Sequence, residues 1–223
     1  MRTLLENEYD ELLAKSEVIE KDRYGIKVVR LPEGNFLKTF WYRRRISSRR
    51  IYPEWLRFSL HADSLQRRNI PTVDVIETVR IPHLKRTGVI YRPLAGRTLR
   101  QVAADGDFDG ALAGRLGGFI ALLHQRGVHF HSLHLGNVLL CPNGDFGLID
   151  ISDMKIFAWP LQGSTRLRNF VHLLRYPEDV NILTAAGQAE FTNGYLADHS
   201  SERLKIGIAN LFQQYTGKES LFR

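Results

Sequence analysis

The sequence predicts an α+β protein in two parts, a strand-rich N-terminal part followed by a mainly helical one. Three observations carry this. β-Branched and aromatic residues gather in short runs between positions 17 and 41 and again between 73 and 91, separated by turn residues. From Phe108 onward, apolar residues recur mostly at helical spacing. Within that second part, one Asn143-Gly144 pair lies between two apolar runs, Val138–Leu140 and Phe146–Ile149. That is the strongest short-range signal for a β-hairpin, because both turn residues tolerate positive φ.

In chain order, Met1–Lys15 is charged, has a helical pattern, and lacks the apolar centre of a secretory leader. Glu17–Tyr24 and Ile26–Leu31 read as strands that meet near Tyr24-Gly25. Pro32-Glu33-Gly34-Asn35 is a turn cluster, and Phe36–Trp41 is a third strand carrying Lys38. Pro53–Arg68 reads as an amphipathic helix with Trp55, Leu56, Phe58, Leu60 and Leu65 on its apolar side. Glu54 sits in its first turn, where a carboxylate complements the helix dipole. Asn69 suits the left-handed residue that ends it. Val73–Val79 with Ile81, then Thr87–Tyr91, read as two further strands. Thr98 is placed to cap the helix Leu99–Ala104. Phe108–Gln125 is a long helix buried along Leu112, Leu116, Ile120 and Leu123, and Gly127 ends it. Beyond the hairpin, Arg166–Arg175, Glu178–Leu196 and Glu202–Tyr215 read as helices.

The 223 residues are enough for one sizeable core or two small lobes. Cys141, the single cysteine, excludes an internal disulfide and fits a reducing compartment. No apolar run is long enough to span a bilayer. Lys and Arg number 31 against 24 Asp and Glu, a formal charge of +7, which suits an anionic partner. The densest basic run is Arg43-Arg44-Arg45-Ile46-Ser47-Ser48-Arg49-Arg50. No basic sheet interleaved with aromatics and no zinc-finger spacing accompanies it, so no specific nucleic-acid reader is expected.

The hairpin carries Asn137 at its start and Asp150 at its end. Its two ends can lie side by side, bringing an amide oxygen and a carboxylate to one place. Hard oxygen ligands so arranged suit Mg²⁺ held against phosphates.

The segment Phe130-His131-Ser132-Leu133-His134-Leu135-Gly136-Asn137, followed by Leu148-Ile149-Asp150-Ile151-Ser152, resembles the catalytic and metal-binding loops of the protein kinase-like superfamily. Within it, the chain resembles the lipopolysaccharide core heptose kinase-like family, including its small toluene-tolerance or InaA-like members. Asn69-Ile70-Pro71-Thr72 and the run Arg166-Leu167-Arg168-Asn169 are similar to elements of that family. The resemblance implies a two-lobed kinase-like fold, with residues 1–93 as a small antiparallel β-sheet lobe and 94–223 as a mainly helical lobe. It implies ATP and Mg²⁺ as cofactors. Lys38 would hold nucleotide phosphates with Glu54 as its partner, and Asp63 is a rival for that role. Asn137 and Asp150 would hold the metal. Arg92–Leu99 would be the hinge offering backbone groups to adenine. Arg166 and Arg168 would face an acceptor phosphate. The implied activity is phosphorylation of a core sugar such as heptose. The acceptor would be lipopolysaccharide core or another anionic glycolipid, and the setting cytoplasmic, with peripheral inner-membrane association.

Two motif positions depart from the family. Ser132 stands at the catalytic aspartate and Phe130 at the leading histidine. Serine is no carboxylate base, so His134, then His131, are the candidates to take a proton, with Asp153 a nearby carboxylate. An alternative follows: a pseudokinase acting as a nucleotide-binding or scaffold module in envelope biogenesis. Others remain open: a basic module for nucleic acid or membrane, a solvated Lys38, zinc held by His129, His131 and His134, and Ser132 as a nucleophile without the usual elbow motif.

Overall fold

A computed structural model describes residues 1–23, 25–41, 53–197 and 201–216. The chain divides into two units, Met1–Leu94 and Ala95–Arg223. The basic run at positions 43–50 lies outside the described residues.

The first unit is built on one sheet. Its strands are β1 (Arg2–Thr3), β2 (Glu17–Asp22), β3 (Gly25–Arg30), β4 (Phe36–Trp41), β5 (Asp74–Ile81) and β6 (Arg86–Arg92), in the order β1-β5-β6-β4-β3-β2. Neighbours are antiparallel except β1, which runs parallel to β5. The N-terminal stretch expected to be helical therefore opens as a short strand, and helix α1 covers only Glu6–Ala14. A two-residue strand has no periodicity to read, and pairing with Val79 and Arg80 creates it.

The pleat of β4 sorts its side chains. Leu37 joins Leu4, Tyr9, Val29, Leu31, Val79, Ile81 and Ile90 in a core on the α1 side. Phe40 faces the other way, toward helix α2 (Glu54–Gln66), where Phe58 packs against the Phe40 and Tyr91 rings. Lys38 shares this second face. The Asn69 cap works as expected: at φ 51° it lets Ile70 N–H reach Leu65 O (3.0 Å) and its own N–H reach Gln66 O (2.9 Å).

The second unit contains α3 (Leu99–Ala104), α4 (Gly110–Gln125), α5 (Gly163–Leu173), α6 (Pro177–Leu196) and α7 (Glu202–Tyr215). Strands β7 (Arg97–Thr98), β9 (Val138–Leu140) and β10 (Phe146–Leu148) form a small sheet, and β8 (Val128–Phe130) pairs with β11 (Met154–Ile156). Thr98 caps α3 by accepting Gln101 N–H, and Asp109 caps α4 by accepting Leu112 N–H. The helix expected over 178–196 is interrupted at Gly187 (φ 132°, ψ 88°), a conformation that only glycine adopts without strain.

Helices α4 and α6 approach through glycines. A Cβ on Gly194 would lie 1.9 Å from Gly114 O, and one on Gly117 would lie 2.1 Å from Phe191 O. Backbone cannot yield as a side-chain tip can. Gly194→Ala is therefore expected to lower the unfolding free energy by about 1–3 kcal/mol in urea denaturation. Unchanged stability would show that the helices separate freely.

The architecture is α+β: a small, mainly antiparallel sheet with its helices, then a mainly helical unit. The order of elements is the one the kinase-like resemblance implies.

Candidate functional site

The loop that ends in Asn137 hangs between two strand pairs of the second unit. On one side β8 pairs with β11, Phe130 opposite Met154, and His131 N–H continues the ladder to Asp153 O at 3.0 Å. On the other, β9 and β10 form the hairpin, with Val138 opposite Leu148. Ile149 N–H then donates to Asn137 O at 3.1 Å, so Asn137 and the Ile149-Asp150 dipeptide are neighbours at the open end.

The hairpin turn is longer than the two-residue form expected. Gly144 N–H bonds Cys141 O (2.9 Å) and Cys141 N–H bonds Asp145 O (2.8 Å), enclosing Pro142, Asn143 and Gly144. Only Gly144 is left-handed, at φ 87°. Proline prefers the first corner of such a turn, and Asn143 Oδ1 accepts Asp145 N–H, which together select the three-residue loop. The chain uses the same turn at Leu31-Pro32-Glu33-Gly34-Asn35, with Gly34 N–H to Leu31 O and Leu31 N–H to Asn35 O.

Asn137 is 8% exposed, and its Nδ2 donates to Ser132 O at 3.0 Å. This fixes the amide orientation, with Oδ1 turned away from Ser132. Asp150 is exposed and sits at φ 51°, a left-handed conformation costing a non-glycine residue about 1–2 kcal/mol. One amide oxygen and one carboxylate fit Mg²⁺, which keeps several waters and shares phosphate oxygens instead of needing a full protein cage.

Among the described residues, no group of three or more His, Cys, Asp or Glu is arranged to hold a metal ion. The three histidines of the loop separate: His129 and His131 have ring centroids 4.6 Å apart, while His134 packs against Tyr176 at 5.1 Å. His172, from α5, takes the third place beside His129 and His131.

His134 has a local task. Its Nδ1 accepts Gly136 N–H at 3.1 Å, capping the 3-10 turn Leu135–Asn137. Burial pushes its pKa below 6.5, with the Arg100 guanidinium adding to the shift and Asp179 and Asp150 opposing it. The ring is then neutral with its lone-pair nitrogen occupied, which suits a positioning role better than proton abstraction. His131, whose Nδ1 lies 3.0 Å from Asp153 Oδ1, forms the loop's imidazole–carboxylate pair. Ser132 is half-buried and contributes its carbonyl to Asn137.

A residue that sequence reasoning missed anchors the whole loop. Asp179, fully buried in the first turn of α6, accepts Arg100 Nε (2.7 Å), Arg100 NH2 (3.2 Å) and Leu135 N–H (3.0 Å). A carboxylate just after Pro177 reads as a dipole complement, and only the fold shows it turned inward.

A second interior chain fixes β8. His124 lies between Tyr195 OH (Nδ1, 2.9 Å) and Asn169 Oδ1 (Nε2, 3.1 Å), and Asn169 Nδ2 donates to Phe130 O at 2.6 Å. Asn169 Oδ1 can only accept, so Nε2 carries the proton and Nδ1 accepts from the tyrosine. Arg166, expected to face an acceptor, is instead buried, and its Nε donates to Leu161 O at 2.8 Å. Arg168 is exposed.

Burial holds His124 neutral, with its pKa lowered from 6.5 to about 3, and lowers His129 to about 4. Below pH 6.5 the unfolded chain gains protons that the folded chain refuses. Stability therefore falls with acidification from pH 6.5 down toward those folded values, by up to about 1.4 kcal/mol per pH unit for each histidine. Urea denaturation from pH 7 to 5 measures this, and a flat profile would contradict neutral burial.

In the first unit, Lys38 is 7% exposed, with its ammonium 5.5 Å from the Phe58 ring centroid and 6.0 Å from that of Phe40. Glu54 is exposed one helical turn before Phe58, and Asp63 pairs with Arg67 at 2.7 Å.

No protein-family model matches the chain. No curated protein matches it either. Solved structures do. A divergent kinase lacking the glycine-rich loop, which regulates membrane ultrastructure of the Toxoplasma parasitophorous vacuole, is 16% identical over 84% of this chain and 62% of its own, with a TM-score of 0.40. WbdD bound to a kinase inhibitor is 17% identical over 90% of this chain and 45% of its own, with a TM-score of 0.47. WbdD, described as a bifunctional kinase-methyltransferase, is 16% identical over 84% of this chain and 42% of its own in a second structure, with a TM-score of 0.46. The chain thus spans from 42% to 62% of the length of these solved chains.

Proposed function

We propose that the chain is an ATP- and Mg²⁺-dependent phosphotransferase of the kinase-like type. The observation that carries this reading is the hairpin end. Ile149 N–H bonded to Asn137 O sets Asp150 beside Asn137, and Asn137 Nδ2 bonded to Ser132 O turns Oδ1 away from that carbonyl. A divalent ion held there would neutralise phosphate charge, and this chain's own part is to fix the two oxygens before nucleotide arrives. Lys38, on the first unit's sheet, is the proposed second phosphate contact. Its partner is proposed as Glu54, on the family resemblance alone.

The proposed acceptor is a core sugar such as heptose, on lipopolysaccharide or another anionic glycolipid. Support comes from the resemblance, the formal charge of +7 and the basic run at 43–50. The same basic run supports peripheral association with an anionic membrane face. No helix among the described residues is long and apolar enough to cross a membrane.

Ser132 favours a second reading. With serine where the family carries its catalytic carboxylate, and His134 Nδ1 already accepting Gly136 N–H, the imidazole left to that loop as a base is His131, beside Asp153. A pseudokinase that binds Mg·ATP without transfer fits those facts. Calorimetric titration with ATP, with and without Mg²⁺, tests both readings together. Phosphate transfer from labelled ATP to purified core oligosaccharide then separates them. The phosphotransferase reading expects turnover that His131→Ala reduces. No turnover, with a large gain in Ser132→Asp, would establish the pseudokinase.

A further inference from the structure

Beside β8 lies a cleft of about 440 Å³ whose lining includes neither Asn137 nor Asp150. Its walls come from β8, the residues before and on β11, and α5 with its C-terminal end. Lys155, Arg168 and Arg175 line it together with the imidazoles of His129, His131 and His172. Asp153 is the carboxylate of the lining, and it is engaged with His131 Nδ1 at 3.0 Å. Arg175 donates to His172 Nδ1 at 2.8 Å. Three basic side chains thus surround one acid, in a wall completed by imidazoles, two hydroxyls and the Phe157 ring.

This crowding is unfavourable in the empty cleft. His129 is 5% exposed, and its Nδ1 lies 3.2 Å from His131 Nε2, while its own Nε2 is buried with no hydrogen-bond partner. A buried nitrogen left without a hydrogen-bond partner is destabilising. Burial first, then the charges of His131, His172, Arg168 and Lys155, drive His129 away from its protonated form. Burial and then Arg175 and His131 act likewise on His172, against Asp153. A bound anion would reverse each of these repulsions. The two arginines supply planar forks suited to phosphate oxygens.

The cleft is also far larger than a bare phosphate needs and falls within the usual range of small-molecule sites. Ser132 and Thr165 add hydroxyls to the lining, and Phe157 adds one apolar surface. We propose that this cleft binds a phosphorylated sugar, its phosphate held by Arg168, Arg175 and Lys155 and its hydroxyls by Ser132 and Thr165. The site shares His131 and Ser132 with the proposed transfer site, and Arg168 with the acceptor contact the resemblance implies, and so rests on that reading for its place in a reaction. It uses neither Asn137 nor Asp150, so its binding is read separately from that of nucleotide.

The test is calorimetric titration of the full chain at pH 7, without nucleotide or Mg²⁺. Glucose 6-phosphate, glucose and inorganic phosphate are the probes. Glucose 6-phosphate is expected to bind, inorganic phosphate to bind more weakly, and glucose to show no heat. Arg168→Gln and Arg175→Gln, each checked for unchanged thermal unfolding, are each expected to weaken glucose 6-phosphate by at least about tenfold. Equal affinity for glucose and its phosphate would overturn the anion site. Equal affinity for inorganic phosphate would overturn the sugar. Binding that survives both arginine substitutions would overturn the location. Loss of Mg·ATP binding in a separate titration would leave all three results untouched.

Discussion

Replacing Asp179 by alanine is expected to lower the unfolding free energy by about 3–5 kcal/mol, the cost of breaking a buried ion pair from one side. The carboxylate is fully buried, while the Arg100 side chain it pairs with is 28% exposed. Removing the acid leaves the Leu135 N–H without its acceptor and Arg100 with the exposed Glu178, at 3.4 Å, and the Tyr176 ring. Asp179→Asn should cost less, because an amide oxygen still accepts the Leu135 N–H. A double-mutant cycle with Arg100→Met separates the two contributions. If Asp179→Ala unfolds at the same urea concentration as the unaltered chain, the acid does not anchor the loop. The same variant should weaken nucleotide binding, because Leu135 opens the 3-10 turn that ends in Asn137.

The second large effect is expected at Asp150. Asp150→Asn preserves size and tolerance of left-handed backbone but removes the only carboxylate of the proposed metal pair. Mg²⁺-dependent ATP affinity should fall by about a hundredfold or more, at or beyond the upper end of what loss of an outer hydrogen-bond partner costs. ATP affinity measured in chelator should change little. Any phosphate transfer should vanish. Retained Mg²⁺ dependence in Asp150→Asn would remove this residue from the metal site, whatever the behaviour of Asn137.

Much of this was legible in the residues. The hairpin was, because the apolar runs Val138–Leu140 and Phe146–Ile149 flank Asn143-Gly144, and a hairpin necessarily returns its end beside its start; the third loop residue, Pro142, was not. The caps at Thr98 and Asn69 were, because capping chemistry is local. Strands β1, β7, β8 and β11 were not. They are two or three residues long, and partners distant in sequence create them. The inward turn of Asp179 was not legible either, since nothing in its own helix asks for it. Arg166 and Arg168 look alike in the sequence, yet helix rotation buries the first against Leu161 O and leaves the second on the cleft. His172 joined the histidine cluster for the same reason, from a helix some forty residues downstream of His129.

The central claim is that Asn137 and Asp150 grip one divalent ion beneath a nucleotide. Manganese reports this directly, because it replaces magnesium and broadens NMR signals only at close range. Adding a trace of Mn²⁺ with ATP to ¹⁵N-labelled protein should erase the Asn137 side-chain amide and the Asp150 backbone signals, with Asn143 and Asn169 left sharp. Broadening centred elsewhere, or none in the presence of ATP, would contradict the account.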